Sequence, residues 1–194
     1  MRSSFDFVKL FSAFLALILL CSIPAVSLAK EGSSIVLTFT GDCTLGNEER
    51  LNYQPYSFVG VVKEQGFDYP FAKVKELFES DDLTIINLEN VFCDTCNGKA
   101  SKTYNFKSPT SFAEILPKGS VELAFIGNNH ILDYGSQGLN STLKALKDQG
   151  VPWFGSVYDN PFHYIYEKDG VKIGFLGTLP TYFMLHRDEA AATM

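Results

Sequence analysis

Leu83-Thr84-Ile85-Ile86-Asn87-Leu88-Glu89 is an aliphatic, β-branched run that follows Asp81-Asp82 and ends on an amide and a carboxylate. It has the composition of a buried strand, and its polar end falls where the chain must leave the sheet. Upstream, Ile35-Val36-Leu37-Thr38-Phe39-Thr40 repeats the pattern and ends at Gly41-Asp42. Downstream, residues 121–126 form a third such run, which enters Gly127-Asn128-Asn129-His130. Helices are predicted between them. Pro70 opens one whose Phe71, Val74, Leu77 and Phe78 fall on one face, after an irregular stretch rich in Tyr, Asn and Gly. A loop over 90–102 leads to the short alternating segment Tyr104-Asn105-Phe106-Lys107, stopped by Ser108-Pro109, and then to a short helix around residues 112–116. Beyond the third strand, Leu139, Leu143 and Leu146 stripe a helix that stops at Gly150. Tyr164-Ile165-Tyr166, the turn Lys168-Asp169-Gly170 and residues 171–176 read as a hairpin.

Strands alternating with helices specify an α/β layered fold with a largely parallel sheet. No repeat or linker divides residues 30–194, so they are expected to form one domain. In such sheets functional groups gather beyond the carboxyl ends of the strands. Asp42, Asn87 with Glu89, and Asn129 with His130 all lie at predicted strand ends.

Arg2 and Lys9 precede an uncharged, apolar run over residues 10–29, which closes on Ala25-Val26-Ser27-Leu28-Ala29. That is an export signal with a cleavage site before Lys30, the alternative being an uncleaved anchor, since about 20 apolar residues span a bilayer. The chain is thus expected outside the cytoplasm, in the cell envelope or anchored to the membrane. Removing Arg2, Lys9 and Asp6 with the leader leaves 14 basic and 21 acidic side chains, a formal charge of −7. Such a surface excludes non-specific nucleic-acid binding, which needs a basic field. Lys99, Lys102, Lys107 and Lys118 are the local exception, and Lys102 and Lys107 are the candidates for contact with an anionic substrate. Without Cys21 of the leader three cysteines remain, and loop residues follow Cys93-Asp94-Thr95-Cys96. The pair reads as a loop-stapling disulfide or as idle thiols rather than a thioredoxin-type centre or half a zinc site.

Asp, Glu, Asn and His together form a mixed oxygen and nitrogen set suited to manganese, iron or zinc. Such an ion would polarise a phosphoryl or carbonyl oxygen and acidify a bound water. Taken in order, Gly41-Asp42-Cys43-Thr44-Leu45-Gly46, Pro70-Phe71, Asn87-Leu88-Glu89, Tyr104-Asn105-Phe106-Lys107-Ser108-Pro109, and Gly127-Asn128-Asn129-His130 with Asp133-Tyr134-Gly135 resemble the CapA family. These are bacterial capsule-synthesis proteins associated with poly-γ-glutamate, and the resemblance covers nearly all of residues 34–180. The family is similar to the calcineurin-like metallophosphoesterases, which implies a layered α/β sandwich. It further implies that Asp42 is the first metal-ligand aspartate and Glu89 the bridging acid of the second motif. Asn129 would be a ligand, and His130 would assist the leaving group. Asp133 would orient His130 by accepting a ring proton, or would instead cap the following helix.

Two departures qualify the resemblance. Thr44 stands where a phosphoesterase has a histidine two places after its first aspartate. The family also continues into a second half with further histidine motifs, which neither His163 nor His186 matches, so the chain is expected to represent the N-terminal portion of a domain incomplete at its C-terminus. The expected function is accessory to synthesis or export of an anionic polymer such as poly-γ-glutamate, with the polymer or its membrane synthesis complex as partner. The alternatives are a metal-dependent phosphoester hydrolase and an inactive remnant.

Overall fold

In the computed structural model residues 34–52, 54–155 and 161–177 are described. The leader over 1–29, His186 and the last residues, 190–194, lie outside them.

Four strands, β1 (Leu37–Cys43), β3 (Leu83–Leu88), β6 (Leu123–Phe125) and β7 (Trp153–Phe154), pair in that order as a parallel sheet. Sequence order equals spatial order, so each connection is a crossover, and the helices lie in those crossovers. They are α1 (Phe58–Gln65), α2 (Lys75–Phe78), α3 (Ile115–Lys118) and α4 (Gly135–Asp148). Alternation along each strand separates two cores. Ile86 and Leu88 of β3, with Ala124 and Ile126, pack on Val59, Val62, Ile115, Leu139 and Leu146 of the helices. Leu83 and Ile85, with Leu123 and Phe154, face Phe175 of the antiparallel hairpin β8 (His163–Lys168) and β9 (Val171–Leu176). The mixed α/β architecture with a parallel sheet therefore stands as the sequence implies. A second small sheet, in the order β2 (Asn47–Glu48), β5 (Phe106–Ser108), β4 (Val91–Phe92), is the part the sequence conceals.

Several local expectations change. The irregular stretch before Pro70 contains α1, whose start is capped by Ser57 Oγ accepting from Gly60 N at 3.0 Å. A glycine in mid-helix hides it from periodicity, and the glycine is required, because a Cβ at Gly60 would lie 2.2 Å from the Gln54 carbonyl oxygen. Conversely, the helix predicted from Pro70 contracts to the single turn of α2, with Leu77 60% exposed. Phe71 and Phe78 are nevertheless both buried, their rings 5.8 Å apart, so burial of this pair rather than a continuous apolar face shapes the segment. The expected loop over 90–102 begins with β4, which Thr142 of α4 fixes by accepting from Phe92 N at 2.9 Å. Helix α4 ends as predicted: Gly150 takes φ +71°, and Val151 N bonds back to the Leu146 carbonyl at 3.0 Å.

Candidate functional site

The tips of β1, β3 and β6 converge through two asparagines. A register shift between Phe39 and Asp42 brings Asp42 opposite Asn87. Asn87 Nδ2 donates to Asp42 Oδ1 at 2.8 Å and to Glu89 Oε2 at 2.6 Å. Its Oδ1 accepts from Asn128 Nδ2 at 2.9 Å, and the same nitrogen of Asn128 donates to the Leu88 carbonyl at 2.7 Å. Asn128 Oδ1 accepts the backbone amides of His130 and Ile131, both at 3.0 Å. Backbone groups have unambiguous polarity, so those two amides and the Leu88 carbonyl fix the orientation of Asn128, and Asn128 fixes that of Asn87. The hydrogens of the Asn87 amide point at the two carboxylates.

Beside this relay lies a buried charge cluster. Asp133 is fully buried, and its Oδ2 lies 2.8 Å from His130 Nδ1 and accepts Phe106 N at 2.6 Å. Lys102 Nζ meets the other oxygen of Asp133, donates to the Asn129 carbonyl at 2.7 Å and lies 3.3 Å from His130 Nδ1. A carboxylate only accepts, so His130 gives it the Nδ1 proton, and a neutral ring then carries its lone pair on Nε2. Phe106 backs the imidazole, with ring centroids 4.6 Å apart. Glu89 is 7% exposed. Burial pushes its carboxyl above the ordinary value, the Asn87 hydrogen bond pulls it back, and Asp42 adds repulsion, while His130 and Lys102 act in the opposite sense. The arrangement places an oriented imidazole and a carboxyl held above its ordinary range in one field, the components of acid–base chemistry.

Asp42, Glu89, His130 and Asp133 are thus brought together, and Lys102 joins them. The Asp133 carboxylate engages His130 rather than the start of α4, where no side chain caps the helix. Asn129 is exposed, and only its backbone carbonyl enters the network. The buried asparagine of the motif is Asn128. Lys107 is buried too: its ammonium meets Glu49 at 2.7 Å and sits 4.8 Å from the Tyr134 ring centroid, on the opposite side of β5 from Phe106 and His130. Lys118 pairs with Asp68 and Glu114. Cys93 and Cys96 form a disulfide with Cα atoms 5.9 Å apart, while Cys43 is free. His163 opens β8 and is exposed.

The linking roles of Asn87 and Asn128 are what sequence reasoning missed. Both sit at strand tips, Asn87 two places before Glu89 and Asn128 directly after Gly127, and that placement is the signal that could have found them.

A shared manganese, iron or zinc ion does not fit these residues as they are arranged. Asp42 Oδ1 and Glu89 Oε2 both accept from Asn87 Nδ2, whose hydrogens would oppose a cation seated between them. Among the described residues no three His, Cys, Asp or Glu side chains are placed to hold one ion. No chemical step is therefore routed through a metal.

Comparison with known proteins agrees with the motifs. The chain is 23% identical over 154 residues to the capsule biosynthesis protein CapA of Bacillus anthracis, covering 76% of this chain and 35% of that protein. It is 30% identical over 146 residues to the PGA biosynthesis protein CapA of Bacillus subtilis, covering 72% of this chain and 36% of that protein. The chain spans about a third of the length of these curated relatives. The sequence profile described as bacterial capsule synthesis protein PGA_cap matches residues 36–193, a span that contains the relay, the His130 cluster and the whole parallel sheet, and the chain belongs to that family.

Proposed function

We propose that this protein acts in the cell envelope, outside the cytoplasm, as an accessory to synthesis or export of an anionic capsule polymer such as poly-γ-glutamate. The observation that carries the reading is the family match over residues 36–193, supported by the capsule and PGA biosynthesis names of its relatives. The apolar leader over 1–29 supports export or membrane anchoring, and the partner would be the polymer or its membrane synthesis complex. The two cores on opposite faces of the sheet support a layered sandwich of the calcineurin-like phosphoesterase type. The test is to delete the gene and quantify cell-associated anionic polymer, with the gene restored in trans as control. A fall that complementation reverses supports the reading, and unchanged polymer contradicts it.

The His130–Asp133 pair beside Glu89 favours a second reading, phosphoester hydrolysis. The purified chain should then cleave a generic phosphodiester or monoester, with and without added Mn²⁺, and His130→Ala or Asp42→Ala should abolish cleavage. Retained activity in both variants would exclude it.

A further inference from the structure

A cleft of about 440 Å³ opens at the amino ends of β3, β6 and β7, the end of the parallel sheet away from the strand-tip site. That volume falls within the range of small-molecule sites, roughly 300–1,000 Å³. Pro117, Pro152, Tyr164 and Tyr166 give it apolar walls. The two tyrosines alternate with the exposed His163, Ile165 and Glu167 along β8, so both turn to the inner face of the hairpin. The Tyr166 hydroxyl donates to the Asp82 carbonyl at 2.9 Å, which anchors its ring.

The charges in the wall do not balance. Two carboxylates line the cleft, Asp82 and Glu122. Asp82 is matched by Lys168 and by the Val36 amide at 2.7 Å. Glu122 has only neutral donors: Thr84 N reaches its Oε2 at 2.8 Å and the Ser120 hydroxyl its Oε1 at 3.2 Å. Burial pushes its carboxyl up, those two donors pull it back, and Asp81 adds repulsion. Glu122 is exposed, so an entering ligand can reach the carboxylate. Gln149 and Gly150, also in the wall, follow the last residue of α4 and bring the negative end of that helix's dipole to the same space. Lys147, the basic residue of its last turn, is not in the wall.

An anion would meet Glu122 as a like charge, and a neutral ligand would leave it unpaired. A bare metal ion would leave the tyrosine and proline walls without contact. We propose that this cleft binds a small protonated amine whose single charge sits on an apolar, ring-sized body. The ammonium donates to Glu122, and the body lies against the tyrosines and prolines, where the aromatic faces add cation–π attraction.

Isothermal titration of the full chain tests this, with phenethylamine as probe. Phenethyl alcohol supplies the same body without the charge, and methylammonium supplies the charge without the body. Phenethylamine is expected to bind more tightly than either. Glu122→Gln keeps an oxygen for the Thr84 amide but removes the charge, and should weaken phenethylamine about tenfold or more. Tyr164→Leu keeps an apolar side chain but removes the ring, for a loss of about 2- to 5-fold. Three outcomes overturn the proposal: no phenethylamine heat up to about 10 mM, either comparator binding as tightly as phenethylamine, or both variants binding like the parent. The comparators need only the parent chain, so the test holds even where a variant fails to fold.

Discussion

Asp42 and Glu89 are held together by an uncharged amide, whereas Asp133 is held by a lysine, an imidazole and a backbone N–H. The first pair keeps two acids close without a cation among their hydrogen-bond partners. The second neutralises one acid completely and removes it from water. Asp133 is therefore a structural keystone that orients His130, while Asp42 and Glu89 meet at the strand tips through a neutral donor.

Breaking the neutralised side should have the largest effect. Asp133→Ala leaves Lys102 unpaired and the Phe106 amide without its acceptor, and is expected to cost about 3–5 kcal/mol. Thermal unfolding would show this as a fall in Tm of about 10 °C. A cost as small as that of an exposed substitution would mean that the cluster is not buried as described. Asn128→Ala comes next. It strands the His130 and Ile131 amides and frees Asn87 to turn, for an expected loss of about 2–3 kcal/mol in denaturant unfolding.

Asn87→Asp sharpens the contrast by turning the amide bridge into a third acid. Without metal it should be less stable than the parent by about 1–2 kcal/mol, because a donor becomes a repelling charge. Added Mn²⁺ should restore the loss, with affinity at least roughly tenfold above that of the parent chain. Equal Mn²⁺ affinity in parent and variant, followed by calorimetry, would contradict the orientation assigned to Asn87.

The smallest effect concerns Glu89. Folding raises its pKa, so the folded protein holds the proton more tightly than the unfolded chain does. Its contribution to stability is then complete below the unfolded pKa, about 4.3 for Glu, and is lost as pH rises through the folded value. Glu89→Gln should accordingly be slightly more stable than the parent at neutral pH, and the gap should close as pH falls below about 4. A gap that widens toward acid would reverse the sign of the argument.

The parallel strands and the acids at their tips were legible because both signals are local: a β-branched run followed by a polar residue. Helix α4 and the hairpin were legible for the same reason, one through its leucine stripe and Gly150, the other through Asp169-Gly170. Helix α1 was not, since Gly60 is placed by the Gln54 carbonyl, a contact that periodicity does not record. The two-residue strands β2, β4 and β7 are too short to carry a period, and they exist only through pairing with distant segments. At the site, residue types pointed to Asn129, but depth chose Asn128, because only the buried asparagine can satisfy two loop amides at once. Lys102 and Lys107 look alike in sequence. Strand alternation turns Lys107 toward Tyr134, whereas Lys102, on the loop before β5, reaches Asp133.

The most direct test of the account replaces both strand-tip acids on the chromosome, Asp42→Asn with Glu89→Gln, and compares cell-associated anionic polymer with that of the parent and the deletion strain. Polymer reduced to the deletion level, with the variant protein present in normal amount, is the predicted result. Polymer at the parental level would contradict the proposal that the strand-tip acids take part in an accessory role in capsule-polymer synthesis or export.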